Sequence, residues 1–319
     1  MPPKYRKYSK TTNKYEFVKG TASHLIIVES PSKCQKIESY LGSRYKCIAS
    51  KGHIRELKGM KSIKTKENYT PVFTISPSKS AHVKWMTQVI DQFLRSNIIL
   101  AMDDDREGEA IAWHICDVFD LPIDTTPRIV FHEITKPAII KAVGSPRLLN
   151  MNLVSAQHAR QVLDVLVGFK ISPLLWKYLY NDKDNGLSAG RCQTPALRLV
   201  YDNEMEKKTK GGITKSYKTT GNFTARHLDF VLSNNYEDEE NLTEFLNKSM
   251  KFDYKLSVGS PRDVSKAPPR PFSTSNLLQI ASNVLKMSPK ETMSHCQNLY
   301  QGGHITYMRT ESTKYSKEI

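Results

Sequence analysis

The chain has 319 residues, and 47 Lys and Arg against 32 Asp and Glu give it a net charge of +15. That length accommodates two or three domains, and 39% hydrophobic with 25% charged residues excludes disorder as the main state. No stretch approaches the ~18 uninterrupted apolar residues of a membrane span. The N-terminus lacks an apolar signal core, so a soluble, cytoplasmic or DNA-associated protein is expected, with a polyanionic partner and no membrane.

Residues 1–20 are basic: Lys4, Arg6, Lys7, Lys10, Lys14 and Lys19 stand against Glu16 alone. They read as a solvated flexible end, or as a targeting or nucleic-acid-contacting arm. HLIIVES (24–30) is a short apolar run ending in Glu29, the pattern of a buried strand feeding a helix. Helical spacing follows in KCQKIESYLG, with a stop at Gly42, and YKCIAS is a second strand. Residues 82–96 predict a helix, NIILAMD a third strand, GEAIAWHICDVFD a helix, RIVFHE a fourth strand and TKPAIIKAV another helix. Strands alternating with helices of this length predict an α/β domain with a mainly parallel sheet over about 22–146.

SAQHARQVLDVLVGF and TPALRLVYDNEMEKK carry helical periodicity. SYKTTGNFTA, LDFVLS and FDYKLSVG alternate as antiparallel strands do, with the acidic run Glu237–Glu240 expected in a turn between two of them. Pro268, Pro269 and Pro271 mark a linker, after which Ser275 is placed to cap a helix. Two helices joined at Ser288-Pro289 then lead into HITYMRTES. The five cysteines (Cys34, Cys47, Cys116, Cys192, Cys296) are scattered without C-x-x-C spacing, which points to neither a zinc site nor a disulfide framework.

The densest chemistry is Met102–Glu109, MDDDREGE, with five carboxylates within seven residues. An isolated run of this kind is usually a solvated loop. This one follows an apolar strand and precedes a helix, which places it at the carboxyl edge of a parallel sheet, where open α/β folds bind ligands. Glu29 ends the first strand at the same edge. Oxygen-only donors converging there suit Mg²⁺, and Arg106 is placed to offset the repulsion among the carboxylates.

Glu29 followed by Asp103-x-Asp105-x-Glu107 resembles the Toprim domain of topoisomerases, primases and some nucleases. The surrounding blocks choose among these. IIVESPSK (26–33), ASKGHIREL (49–57), DDDREGEAIAWHI (103–115), RIVFHEITKPAI (128–139), SAQHARQVLDVLVGFKISPLLWK (155–177), LSAGRCQTPALRL (187–199) and QNLYQGGHITYMRTES (297–312) resemble type IA DNA topoisomerases, in that family's order. ESPSK and GHIREL are closer to the bacterial topoisomerase I branch than to topoisomerase III.

The resemblance implies an isomerase that cleaves one DNA strand through a 5′-phosphotyrosine, passes another strand through the gap and religates, relaxing negative supercoils without ATP. It implies Tyr307 as nucleophile and Arg309 as the cation stabilising phenolate or phosphate. It implies Lys33 at the scissile phosphate, and Glu29 near the leaving 3′-oxygen or on the metal. Asp103 and Asp105 become the Mg²⁺ ligands, with Glu107 in support. His53, Arg160, Asp164, Lys177, Ser188, Ala189, Gly190, Arg191, Cys192, Gln193 and Arg309 become DNA contacts. Arg160 and Asp164, four apart, also fit an ordinary helical ion pair.

The implied organisation is a tail over 1–21, Toprim over 22–146, a partial helical DNA-groove domain over 147–211, a partial antiparallel β gate over 212–266 and a partial tyrosine-bearing helical domain over 267–319. A monomer acting on single-stranded or negatively supercoiled DNA is expected. Gln301, Glu311 and Asp104 depart from the family's usual residues. The chain runs only 319 − 307 = 12 residues past the tyrosine, which predicts a fragment or a truncated product. A non-catalytic single-strand-binding remnant is the alternative; a Toprim nuclease or primase rests on the carboxylates alone.

Overall fold

The structure is a computed structural model and describes residues 17–179, 186–209, 215–223 and 227–314. Most of the basic N-terminal run lies outside the described residues. Two compact units are present, one formed by 1–191 with 269–319 and the other by 192–268.

In the first unit β1 (His24–Val28) leads into α1 (Cys34–Leu41), which stops where Gly42 takes a φ of +81°. β2 (Tyr45–Ala49) follows, then the short strands β3 (Arg55–Glu56), β4 (Ile63–Lys64), β5 (Thr70–Pro71) and β6 (Thr74–Ile75). Next come α2 (Ser80–Ile90), β7 (Ile98–Ala101), α3 (Arg106–Val118), α4 (Lys136–Gly144) and the long α5 (Met151–Tyr178). The second unit holds α6 (Gln193–Thr209), the hairpin β8 (Thr220–Phe223) and β9 (Leu228–Val231), and α7 (Glu239–Ser249). The chain returns to the first unit with α8 (Thr274–Leu285) and α9 (Pro289–Gln301). No helix among the described residues is long and apolar enough to cross a membrane.

The central sheet is parallel in the order β2-β1-β7. Leu25, Ile26, Ile27 and Val28 are all fully buried because β1 is the middle strand and both its faces are covered. Each such side chain contributes about 1.5–3 kcal/mol by leaving water. Alternation along the strand separates two cores. Leu25 and Ile27 pack with Met86, Ile90, Ile111 and Ile115 of α2 and α3. Ile26 and Val28 face Ile37 of α1, Ile139 of α4, and Cys296, Tyr300, Tyr307 and Met308. The tyrosine-bearing segment therefore belongs to the second core of the sheet.

Five expectations are corrected. RIVFHE is not a strand: Arg128 makes single bridges to Leu100 and Arg147. Pro127 has no N–H for a ladder, and Ile129, Phe131 and Ile134 are drawn into the second core instead. The helix expected over 82–96 spans Ser80–Ile90, and the residues after it tighten into turns. FDYKLSVG is exposed and finds no partner strand among the described residues, and the acidic run starts a helix rather than a turn, with Asp238 accepting from Asn241 N. Ser273, not Ser275, caps α8, while Ser288 caps α9 with Pro289 in its first turn.

Candidate active site

β7 delivers the carboxylate loop to the carboxyl edge of the sheet, beside Glu29 at the end of β1. Asp105 has an extended backbone (φ −142°) and caps α3, accepting from Gly108 N at 2.8 Å. The turn needs glycine at 108, since a Cβ there would lie 2.1 Å from the Asp103 carbonyl oxygen. Glu107 and Glu109 fall in the first helical turn, where the helix dipole favours negative charge.

Each of the five carboxylates meets at least one cationic side chain, Arg147 serving two of them. Buried Lys33 is paired with Asp103 and lies 4.8 Å from the centre of the Tyr300 ring. Asp104 meets Arg147 at 3.1 Å and His132 at 3.7 Å. Arg309 reaches Asp105 at 3.0 Å. Glu107 accepts from Arg160 at 2.9 Å and Gln157 at 2.9 Å and pairs with His53 at 3.1 Å. The His53 hydrogen bond is the main reason the Glu107 carboxyl is held down to about 2, with Gln157 and Arg160 adding to it against the opposing effect of burial. Fully buried Glu109 is paired with Arg147 and with Arg128 at 3.5 Å. Arg106, expected to offset the repulsion, is exposed instead. With Asp105, Glu107, Arg160 and Arg309 it lines a cleft of about 550 Å³.

Tyr307 lies at the end of the turn that follows α9. Gly303 (φ +71°) permits that turn, because a Cβ would sit 2.8 Å from the Ile134 carbonyl oxygen. The Tyr307 N–H donates to His132 O at 2.7 Å, and its hydroxyl donates to Asp105, the carboxylate that Arg309 also holds. The ring packs edge-on against Tyr300 at 5.1 Å. Only 6% of Tyr307 is exposed. Burial, then the hydrogen bond to Asp105 and that residue's charge, pushes the phenol well above its ordinary value, so it rests as a protonated donor. Glu29 is also raised, by burial and then by Asp103, which disposes it to hold a proton.

The donor set is all oxygen, the chemistry Mg²⁺ requires. Its arrangement does not fit an ion. Among the described residues no three of His, Cys, Asp and Glu converge on a metal position. Lys33, Arg309 and Arg160 instead occupy Asp103, Asp105 and Glu107.

The residues expected to touch DNA are brought together only in part. Arg160 and Asp164 approach at 3.9 Å on α5, and Arg191 adds a second cation on Asp164 at 2.9 Å. Ala189 is buried, its N–H donating to Ser172 Oγ at 3.0 Å, while Ser188 is exposed and Gly190 half-buried. Lys177 lies against Tyr178, about 25 Å along α5 from Arg160. Cys192 and Gln193 are exposed at the start of α6 in the second unit. Lys33 is fully buried on Asp103, so a phosphate does not reach it in this arrangement. Gln301 donates to Ser30 Oγ at 3.2 Å, and Glu311 accepts from Ser275 at 3.3 Å.

Arg128 was not singled out from the sequence. Fully buried, it donates to the carbonyls of Met102 and Asp103, both at 2.8 Å, and so fixes the backbone that aims Asp103. A charged residue opening an apolar run was the available signal. Gln157, 1% exposed on the helix that carries Arg160, is a second support that spacing alone does not reveal.

Residues 24–134 match the family model described as the Toprim domain, and residues 148–319 match the one described as DNA topoisomerase. The chain is similar in structure to full-length topoisomerase I from Thermotoga maritima, with a TM-score of 0.72 and 37% identity. That match covers 92% of this chain and 50% of the other, so the chain spans about half the length of that relative. Ordered sequence blocks, the parallel sheet with its acidic loop, and a tyrosine hydrogen-bonded to that loop all agree with these matches, and the chain belongs to the type IA family of DNA topoisomerases.

Proposed function

We propose that this chain carries the strand-cleavage chemistry of an ATP-independent type IA topoisomerase that relaxes negatively supercoiled DNA, with Tyr307 as nucleophile. The observation that carries the reading is the Tyr307 hydroxyl donating to Asp105, which Arg309 also holds. As the tyrosyl oxygen bonds to phosphorus, its proton passes to Asp105, and Arg309 offsets the charge on the phosphate. The bond from phosphorus to the 3′-oxygen breaks, and Glu29 supplies the proton that oxygen needs. Religation is the reverse: the 3′-hydroxyl displaces the tyrosine.

Lys33 is assigned to a phosphate, and Asp103 and Asp105 are the residues whose oxygen chemistry would suit Mg²⁺. Either role would require the Lys33–Asp103 and Arg309–Asp105 pairs to open first. Glu107 supports the two aspartates. His53, Arg160, Asp164, Lys177, residues 188–193 and Arg309 are assigned to single-stranded DNA, and the five-segment organisation is proposed together with these assignments.

The test is a single-stranded oligonucleotide labelled at its 3′ end. Wild-type protein should retain the label after denaturation, and Tyr307→Phe should retain none. Label retained by the Phe variant would overturn the assignment. Burial of Tyr307 and Lys33 favours a second reading, a non-catalytic chain that binds single-stranded DNA, and a wild-type adduct would exclude it.

A further inference from the structure

We propose that the β4–β5 hairpin is a second contact for single-stranded DNA, with Tyr69 as a stacking platform and Lys58, Lys61, Lys64 and Lys66 as phosphate ligands. The proposal rests on the topoisomerase reading and adds a contact away from the carboxylate cleft. In the hairpin Ile63 pairs with Pro71 and Lys64 with Thr70. Its tip is a four-residue turn in which Thr70 N donates to Glu67 O at 3.1 Å. Both central residues are left-handed, Asn68 at φ +52° and Tyr69 at φ +58°. Asn tolerates that region, whereas an aromatic residue there is strained where glycine would be relaxed. Yet Tyr69 stands 50% exposed, and no core packing of that exposed half explains an aromatic side chain at the most strained position of the turn.

The surroundings match a polyanion. Lys58, Lys61, Lys64 and Lys66 are all exposed. Lys64 is paired with Glu67 at 2.9 Å, and Lys58, Lys61 and Lys66 have no ion pair among the described residues. The hairpin is also anchored. Lys58 N donates to Ser62 Oγ at 2.9 Å and Val72 N to Ser62 O at 2.8 Å. Gly59 (φ +76°) lies so close to Phe169 of α5 that a Cβ would meet the ring at 2.9 Å. Phe169 is nine residues beyond Arg160, about 13 Å along the helix. An exposed aromatic ring among free lysines, fixed to the helix that carries Arg160, is the combination that binds unpaired bases and their phosphates.

The experiment uses the whole chain and a fluorescent oligothymidylate, with anisotropy read across a salt series. Tyr69→Gly should weaken binding roughly five- to a hundredfold while its melting temperature rises, because the turn is relieved. Tyr69→Phe should bind as wild type does. Changing Lys61, Lys64 and Lys66 together to Gln should lower the slope of log affinity against log salt by about 2. If wild type binds and these variants match it in affinity and slope, the hairpin proposal alone is overturned. If wild type does not bind, the topoisomerase reading fails with it. Loss confined to a duplex probe would overturn the stacking role.

Discussion

Arg128 has no water to solvate it: its guanidinium is fully buried against Glu109, and it spends hydrogen bonds on the carbonyls of Met102 and Asp103. Arg128→Gln leaves buried Glu109 with the partly exposed Arg147 alone and strips the Met102 and Asp103 carbonyls of their charged donor, so it should cost about 3–5 kcal/mol in urea unfolding. Arg128→Lys keeps a cation near Glu109 but loses the planar fork that reaches both carbonyls. It should lose less stability than Arg128→Gln while cutting covalent adduct formation at least tenfold, with adduct yield and unfolding measured on the same preparations. Equal losses in both assays would reduce Arg128 to a purely structural role. The acidic loop itself was legible in the sequence, because five carboxylates between an apolar strand and a helix are rare without a purpose. Their partners were not. Lys33 is 70 positions from Asp103 and Arg309 is 204 from Asp105, separations that only the folded chain closes.

The α3–α5 packing contains a second group held away from its ordinary charge state. His114 is fully buried on α3, and both its ring nitrogens lack a hydrogen-bond partner among the described residues. It sits among Phe73 at 4.5 Å, Trp113 at 5.0 Å, His158 at 5.7 Å and His53 at 6.0 Å between ring centres. Burial first, then Arg55, His53 and His158, pulls its pKa from the usual 6.5 down to about 2. His158 on α5 is lowered as well, by burial, Arg55 and His53. Below pH 6.5 the unfolded chain takes up a proton at His114 that the folded chain refuses, so stability falls as pH falls, from 6.5 down toward 2. His114 alone should cost about 1.4 kcal/mol per pH unit below that point. Urea unfolding between roughly pH 7 and pH 5 checks this, and His114→Leu should flatten the dependence. A wild-type curve that is flat or rises on acidification would contradict it. At this scale β1 and β7 were readable because both faces of each are apolar, and α9 because Ser288-Pro289 is a local capping signal. RIVFHE was misread because its apolar residues are buried in the second core without forming a ladder, a distinction that hydrophobicity does not encode.

Across the whole molecule, burial is divided unevenly between the units. The sheet unit holds both hydrophobic cores, whereas α6, β8, β9 and α7 contain no buried residue. A two-stranded hairpin has marginal stability by itself, and residues 251–273 carry no helix or strand and are almost wholly exposed. Lys251, Lys255, Arg262 and Lys266 all lie in that stretch, so limited trypsin digestion should cut there first, as opening free energy is lowest where packing is least. The cut separates α8, α9 and Tyr307 covalently from the sheet, yet they should not part. Tyr300, Tyr307 and Met308 are within the second core, and Thr274 is hydrogen-bonded to Met308 and Thr310, tying the start of α8 to the strand of chain that carries the tyrosine. Lys36 also donates to Gly302 O across the same contact. The nicked protein should therefore elute as one species in gel filtration under native conditions and separate into two fragments in urea, with both identified by mass. Separation without denaturant would mean that the tyrosine is not held to the carboxylate loop by its own packing. The hydrogen bond from Tyr307 to Asp105, on which the proposed cleavage chemistry rests, would then lack its structural support.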